Sequence, residues 1–231
     1  MLVPFNAFIG NLAVLRSRLA ELCVQAGRDP DAVSILPVTK NHPVAAIDYV
    51  ARAGLAAVGE NRVQEAGEKK PSAPASLRWE LIGHLQTNKA RLAASIFDRV
   101  QSVDSVRLAT HLARAASEQQ KRLEVLIQVN AGRDPDKFGC EIEEASALIE
   151  HVLNQPALRL DGLMTIAPLA ADLNVARRTF ETLRDLRDKF ATTFGCPLQE
   201  LSMGMSGDWP EAILAGSTQV RVGTALFGER R

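Results

Sequence analysis

The chain has 231 residues, of which 46% are hydrophobic and 23% are charged, a composition typical of a folded globular protein. Lysine plus arginine and aspartate plus glutamate each number 27, so the zero formal net charge argues against a basic nucleic-acid-binding surface or an acidic tail. No apolar run approaches the roughly 18 residues that span a bilayer, and the amino terminus lacks a signal-peptide pattern. Three cysteines without paired spacing favour reduced thiols over disulfides or a zinc site. We therefore expect a cytoplasmic protein without a metal centre.

The chain begins with a predicted amphipathic helix from Asn6 to Ala26, followed by strands that alternate with helices. The predicted strands cover residues 34–40, 55–60, 78–84, 99–103, 123–130, 159–165, 198–203 and 218–222. The predicted helices between them cover residues 43–53, 61–70, 88–96, 105–119, 141–154, 172–194 and 208–215. No long linker, sequence repeat or low-complexity tract interrupts this alternation.

Alternation of strands with helices requires parallel strands joined by crossovers. Eight such units suit a closed barrel, whose usual length is about 250 residues. The predicted fold is therefore α/β, a single (β/α)8 TIM-type barrel domain over residues 1–231 with an extra amino-terminal helix. A doubly wound open sheet is the alternative, and the lack of a glycine-rich dinucleotide motif after the first strand disfavours it.

Lys40 follows the first predicted strand, at the end where α/β sheets bind their ligands. A partly desolvated lysine loses its proton more readily than one in water and can then attack a carbonyl carbon. From its position alone, a surface lysine that ends a strand is the favoured interpretation of Lys40. The loops after the last two strands help to decide between a ligand-binding lysine and a surface lysine.

Glycine-containing loops follow the last two strands, at 202–206 and 221–224, where barrels of this kind usually bind phosphate. A lysine that faces such loops favours an aldehyde-bearing phosphorylated ligand held as a Schiff base. Pyridoxal 5′-phosphate (PLP) fits this description, and a phosphorylated sugar bound by an aldolase-type lysine fits it almost as well. The strand ends offer no carboxylate pair and no Ser-His-Asp arrangement.

Several segments resemble, in order along the chain, the pyridoxal phosphate homeostasis proteins (the YggS/PROSC family), which are related to the amino-terminal domain of alanine racemases. The resembling segments are Val38-Thr39-Lys40, GENRVQE at 59–65, LIGHLQTNK at 81–89, Val129-Asn130 with Lys137 and Gly139, Gly162-Leu163-Met164 with Pro168, and the segment from Leu201 through Gly228. Arg62 stands where this family commonly has tyrosine.

The resemblance implies a role for seven residues in PLP binding. Lys40 would carry the cofactor as a Schiff base, and Ser206, Gly223 and Thr224 would bind its phosphate. The resemblance also implies that Asn61 lines the ring or its hydroxyl, that Met203 packs near the ring and that Arg221 faces the pyridine nitrogen. An arginine there stays charged and keeps this nitrogen unprotonated, so the ring is a poor electron sink. No catalytic residue is assigned.

Two functions are compatible with a lysine-bound PLP. One is a non-catalytic protein that stores, buffers or delivers PLP, with apo-forms of PLP enzymes as possible partners. The other is an amino-acid racemase, which needs a base on each face of the substrate carbon. Alanine racemases take the second base from a tyrosine of another domain, whereas the only tyrosine here, Tyr49, falls on a predicted outer helix. We therefore expect a monomeric PLP carrier that acts in intracellular PLP homeostasis.

Overall fold

The computed structural model describes residues 2–169 and 172–229 of the chain. Its strands are β1 (Ser34–Pro37), β2 (Ala57–Glu60), β3 (Arg78–Leu81), β4 (Arg99–Val103), β5 (Leu123–Gln128), β6 (Leu158–Met164), β7 (Glu200–Ser202) and β8 (Gln219–Val222). Its helices are α1 (Phe5–Gln25), α2 (Ala45–Arg52), α3 (Val63–Lys69), α4 (Ala90–Ile96), α5 (Val106–Glu118), α6 (Ile142–Leu153), α7 (Leu173–Phe194), α8 (Trp209–Leu214) and α9 (Thr224–Phe227). The predicted alternation is confirmed, although most elements are shorter than predicted, and α9 was not predicted.

All eight strands are parallel and form one sheet in the order β1-β8-β7-β6-β5-β4-β3-β2. A further parallel bridge joins Val38, just after β1, to Gly59 in β2. The Thr39 amide also donates to the Gly59 carbonyl at 3.1 Å. These contacts bring the two outer strands of the sheet together, so the fold is a nearly closed (β/α)8 barrel, as predicted.

The amino-terminal helix α1 packs on the outside of the barrel through one buried face. This face consists of Phe8, Leu12, Leu15, Leu19, Leu22 and Cys23. Phe8 stacks on Phe227 of α9 with the ring centroids 5.2 Å apart, and Asn11 Nδ2 donates to the Leu226 carbonyl at 3.1 Å. Helices α1 and α9 therefore pack against each other on one side of the barrel.

The barrel interior is crossed by polar side chains, whereas the shell between strands and helices is apolar. Gln101 of β4 bonds to Glu80 of the neighbouring β3, and also to Gln219 at 2.6 Å and Ser202 Oγ at 2.6 Å. Because β7 and β8 do not neighbour β4 in the sheet, the last two bonds cross the lumen. Each buried amide thereby finds a partner, as an interior of low polarity requires. The core thus fixes the relative positions of strands that are distant in the sheet.

Candidate functional site

A cavity of about 240 Å³ opens at the carboxyl ends of the strands. This is small compared with the roughly 300–1,000 Å³ of drug-sized ligand sites, and it suits a ligand with one ring. Thirteen described residues line it: Val38, Lys40, Asn61, Ile82, Gly83, His84, Gln128, Phe138, Ile166, Met205, Ser206, Arg221 and Gly223. None of these thirteen is a carboxylate, whereas the lining includes a lysine, an arginine and a histidine. The charge of the cavity therefore favours an anionic ligand.

Lys40 lies in a tight turn that directly follows the first strand. The His42 amide donates to the Thr39 carbonyl at 3.1 Å, which places Lys40 and Asn41 at the two central positions of the turn. Asn41 has a φ of 58°, a left-handed conformation that asparagine tolerates better than most residues other than glycine. The turn ends the strand and leaves the half-buried Lys40 side chain at the cavity.

Arg221 of β8 is the buried cation of the cavity, with 2% of its surface exposed. Its Nη1 donates to Ser202 Oγ at 2.7 Å, and its Nη2 donates to the Thr165 carbonyl at 2.8 Å. Burial lowers the pKa of Arg221 to about 10, and the nearby Asp208 carboxylate partly offsets this shift. The guanidinium therefore remains protonated at neutral pH in a fixed orientation.

The loop after β7 brings Met205 and Ser206 to the cavity. Asp208, which precedes α8, accepts a 2.6 Å hydrogen bond from the Met205 amide through Oδ1. Burial raises the pKa of the Asp208 carboxyl above its usual value, although this amide bond and the Arg221 charge both oppose the shift. The bond fixes the backbone of the loop, which positions the exposed Ser206 hydroxyl at the cavity rim.

His84 and Phe138 stack face to face where they line the cavity, with centroids 4.0 Å apart and an interplanar angle of 12°. The His84 ring also contacts Asp104, whose Oδ2 lies 3.3 Å from His84 Nδ1. Gln128 Nε2 donates to the Phe138 carbonyl at 2.8 Å and so anchors the segment that carries this ring. Phe138 is 58% exposed, so it forms an apolar edge of the cavity that remains accessible to solvent.

Asn61 follows β2 and reaches the cavity where the backbone of Gly83 passes unusually close. A Cβ atom at Gly83 would lie 2.2 Å from the Asn61 carbonyl oxygen, a distance that no side chain can occupy. Glycine at position 83 therefore permits the two strand ends to approach each other. This contact sets the position of the Asn61 backbone at the wall of the cavity.

Five of the seven residues predicted to bind the cofactor line this cavity, and two do not. The five are Lys40, Asn61, Ser206, Arg221 and Gly223. Met203 is fully buried in the main apolar core, and Met205 lines the cavity in its place. Thr224 is the exposed first residue of α9, next to the lining residue Gly223. Sequence reasoning did not assign a lining role to Gln128 or Phe138, and Phe138 lies on a loop without periodic pattern.

A larger cavity, about 570 Å³ in volume, lies at the opposite end of the barrel. Its lining includes Ser34, Ala57 and Gln219, the first residues of β1, β2 and β8. Arg99, one of three arginines in this lining, is paired with Glu124 at 3.2 Å and with Asp161 at 2.9 Å. We place the functional site at the smaller cavity, because a lysine and a buried arginine face a ligand-sized space there, with no carboxylate among the described lining residues.

The chain matches a known family over almost its whole length. Residues 11–231 match the family described as alanine racemase, N-terminal domain. The pyridoxal phosphate homeostasis protein of Pseudomonas aeruginosa is 41% identical over 221 residues, which cover 95% of this chain and 94% of that protein. The protein of the same name from Escherichia coli K12 is 38% identical, with 97% of each chain covered. This chain therefore belongs to the pyridoxal phosphate homeostasis proteins, within the class of alanine racemase N-terminal domains.

Solved structures agree with this assignment. PipY of Synechococcus elongatus, determined with PLP bound, is 40% identical with a TM-score of 0.81, and the match covers 92% of this chain and 99% of PipY. An unknown protein of Bifidobacterium adolescentis has a TM-score of 0.90 at 34% identity, with 96% and 95% covered. An alanine racemase of Clostridium difficile shares the fold alone, at 15% identity and a TM-score of 0.78, and the match covers 57% of that chain. None of the helices within residues 2–169 and 172–229 combines the length and the apolar character that a membrane-spanning helix requires.

Proposed function

We propose that this chain binds PLP at the carboxyl-end cavity, as a Schiff base on Lys40, and acts in PLP homeostasis by storing, buffering or delivering the cofactor. The observation that carries this proposal is the joint presence of Lys40 and the buried Arg221 around a small cavity whose described lining contains no carboxylate. Membership in a family whose relatives are named for PLP homeostasis, one of them solved with PLP bound, supports it.

The donor groups of the cavity fit the chemistry of PLP. When bound, PLP supplies an aldehyde carbon that a primary amine can attack. The neutral Lys40 amine would add to this carbon, and a carbon–nitrogen double bond would replace the carbon–oxygen one. The oxygen would leave as water with the two amine protons. Val38, Ile82 and Ile166 offer apolar walls for a flat ring, and the Ser206 hydroxyl and the Gly223 backbone are suited to a phosphate.

Asn61 would complete the ring contacts, as the family resemblance implies. All seven cofactor-binding roles stay predictions, and Met203 and Thr224 differ from the other five residues in that they do not line the cavity. If Arg221 faces the pyridine nitrogen, its permanently charged donors keep this nitrogen unprotonated. A ring in that state withdraws electrons weakly, which disfavours transaminase-type chemistry.

A non-catalytic role is favoured over racemisation by the placement of the possible second bases. Tyr49, the only tyrosine of the sequence, packs its ring against Phe5 and Phe8 at centroid distances of 5.1 and 5.6 Å, on the outside of the barrel. His84 lines the cavity, but its ring is stacked on Phe138 and held next to Asp104. Tyr49 does not line the cavity, which supports the non-catalytic role, and the racemisation assay described below tests whether His84 supplies the second base.

The partners and location follow from this role. We propose that apo-forms of PLP enzymes receive the cofactor, and that the chain acts as a single-domain monomer in the cytoplasm.

A spectroscopic titration tests the function directly. Addition of PLP to the chain should produce the visible absorbance of a lysine-bound cofactor, and an apo-form of a PLP enzyme added later should become active as this absorbance falls. Lys40→Ala should abolish the absorbance, whereas Lys89→Ala, a control outside the cavity lining, should keep it. A coupled assay for alanine and serine racemisation should show no turnover above that of free PLP. Clear turnover would contradict the non-catalytic role.

A further inference from the structure

A cluster of three charged side chains contacts the residues on both sides of Lys40 in the sequence. Lys69 Nζ, at the end of α3, lies 2.7 Å from Glu60 Oε1 and 2.6 Å from Glu65 Oε1. The side chains of Lys69 and Glu60 are 6% and 0% exposed, and that of Glu65 is 19% exposed. We refer to Glu60, Glu65 and Lys69 as the ion cluster. None of the three lines the cavity, so the proposed function leaves them without a role.

The ion cluster holds the residues on both sides of Lys40. Lys69 Nζ donates its third hydrogen bond to the Thr39 carbonyl at 2.8 Å, and the Thr39 hydroxyl donates to Glu60 Oε1 at 2.7 Å. On the other side, the Asn41 amide donates to Glu65 Oε1 at 2.6 Å. Thr39 and Asn41 are the immediate neighbours of Lys40 in the turn. The segment that carries the Lys40 side chain is therefore held at Thr39 by Lys69 and Glu60 and at Asn41 by Glu65.

Stability alone is a poor explanation for this arrangement. The desolvation of buried ions often costs as much as their attraction returns, and apolar residues of similar volume frequently give equal or greater stability. Burial raises the pKa of the Glu60 carboxyl despite its bonds from Lys69 and Thr39, which is a sign of this cost. Charged groups, unlike apolar groups, can form directional hydrogen bonds to backbone atoms. Here those bonds end on the turn of Lys40.

We propose that the ion cluster positions Lys40 for covalent attachment of the carbonyl-bearing ligand, with Lys69 as the central positioning residue. This inference rests on the proposed function, because it concerns the same site. Lys69 does not line the cavity and would act through Thr39 and the two carboxylates. Attack on a carbonyl depends steeply on the placement of the amine, since a shift of about 1 Å can cost roughly 100-fold in rate.

The test separates attachment from general binding by using two ligands. Lys69→Met keeps an unbranched side chain but removes all three donors. We expect it to slow covalent attachment of PLP to Lys40 by roughly 10- to 100-fold in stopped-flow absorbance. The affinity for 4-deoxypyridoxine 5′-phosphate, which has the ring and phosphate but no aldehyde, should stay unchanged. Lys70→Met is the matched control, because the neighbouring Lys70 bonds to the Ile96 carbonyl away from the turn, and its rate should equal that of the wild type.

Two results would overturn the positioning role. Attachment at the wild-type rate in Lys69→Met would show that the turn does not need the cluster, and an equal loss for both ligands would show only a general structural role. If Lys69→Met does not fold, Thr39→Val decides by the same two readouts, because it removes only the hydroxyl bond to Glu60. A wild-type chain that forms no covalent bond to PLP would instead refute the proposed function. Failure of the positioning role would therefore appear in the variants, and failure of the proposed function would appear in the wild-type chain.

Discussion

Arg221 Nη1 donates a 2.7 Å hydrogen bond to Ser202 Oγ, and this hydroxyl donates onward to Gln101 Oε1 at 2.6 Å. The bond joins the cation of the ligand cavity to the polar chain that crosses the barrel. Gln101 continues the chain to Glu80 and Gln219. The orientation of the guanidinium thus depends on side chains from strands on opposite sides of the lumen. Hydrogen bonds in the barrel core therefore position the site residues as much as the loops do.

Arg221→Lys should lower both stability and ligand affinity, although the charge is kept. A lysine lacks the planar fork that reaches Ser202 Oγ and the Thr165 carbonyl together, so a buried acceptor loses its partner. We expect a loss of about 1–3 kcal/mol in the free energy of unfolding, measured with urea, and weaker PLP binding. Arg18→Lys, in an exposed pair with Glu21, is the control and should change neither. Wild-type stability in Arg221→Lys would contradict the role of the two bonds.

Gly83→Ala should disturb the site through the backbone of Asn61. The added methyl group would lie 2.2 Å from the Asn61 carbonyl oxygen, so one of the two strand ends must move. Overpacking of this kind typically costs about 1–3 kcal/mol, and PLP affinity should fall with stability. Gly10→Ala in α1 meets no atom within 4 Å and should be neutral or stabilising by up to about 1 kcal/mol. Thermal unfolding and PLP titration of both variants check this, and equal behaviour of the two would refute the steric argument.

The stability of Glu80→Gln relative to the wild type should increase as the pH rises. Burial raises the pKa of Glu80 in the folded state, despite Arg99 and the bonds from Gln101 and Gln219. A carboxyl with a raised folded pKa contributes stability below its unfolded pKa and loses it as the pH rises through the folded value. The glutamine variant cannot titrate. The free energy of unfolding of Glu80→Gln minus that of the wild type should therefore increase from about pH 4 to pH 8.

Glu150→Gln, on the exposed side of α6, serves as the control for the general effect of replacing a glutamate by glutamine in this pH series. A difference for Glu80→Gln that falls with rising pH would show that Glu80 is stabilised as the charged form, and would reverse the assignment. Urea unfolding at four or five pH values is sufficient to decide the sign.

The three cysteines should differ sharply in reactivity. Burial raises the pKa of the Cys140 thiol to about 12, and burial also raises the pKa of Cys23. Both side chains are buried, whereas Cys196 is only half-buried. At pH 8 we expect one thiol to react with Ellman's reagent in the native protein and the other two only after unfolding. Cys196→Ser should remove the native reaction, and a fast phase that persists in this variant would disagree with the burial pattern.

The barrel and the place of Lys40 could be predicted because both depend on local patterns. Alternating apolar runs and helical periodicity gave eight units, and the position of Lys40 directly after β1 put it at the ligand end. The ends of β1 could not be predicted in the same way. The apolar run extends to Lys40, but the ladder with β8 ends at Pro37, and Val38 pairs with Gly59 across the barrel closure.

The parts of the site that sequence reasoning missed depend on contacts between distant segments. Met203 and Met205 are equivalent as a pattern, but Gly204, with a φ of 94°, turns the chain so that only Met205 lines the cavity. Phe138 is positioned by Gln128 and by its stack on His84, neither of which leaves a periodic signal. The ion cluster joins β2 to α3, and its carboxylates resemble ordinary helix-end residues in the sequence.

The central claim, covalent attachment of PLP to Lys40, is tested most directly by trapping the bond. The chain is incubated with PLP, reduced with borohydride, digested and analysed by mass spectrometry. We predict one dominant modified peptide, with the reduced cofactor on Lys40 and little on Lys69 or Lys89. Modification spread over several lysines at similar yield, or centred on a residue other than Lys40, would contradict the assignment of this cavity as the PLP site.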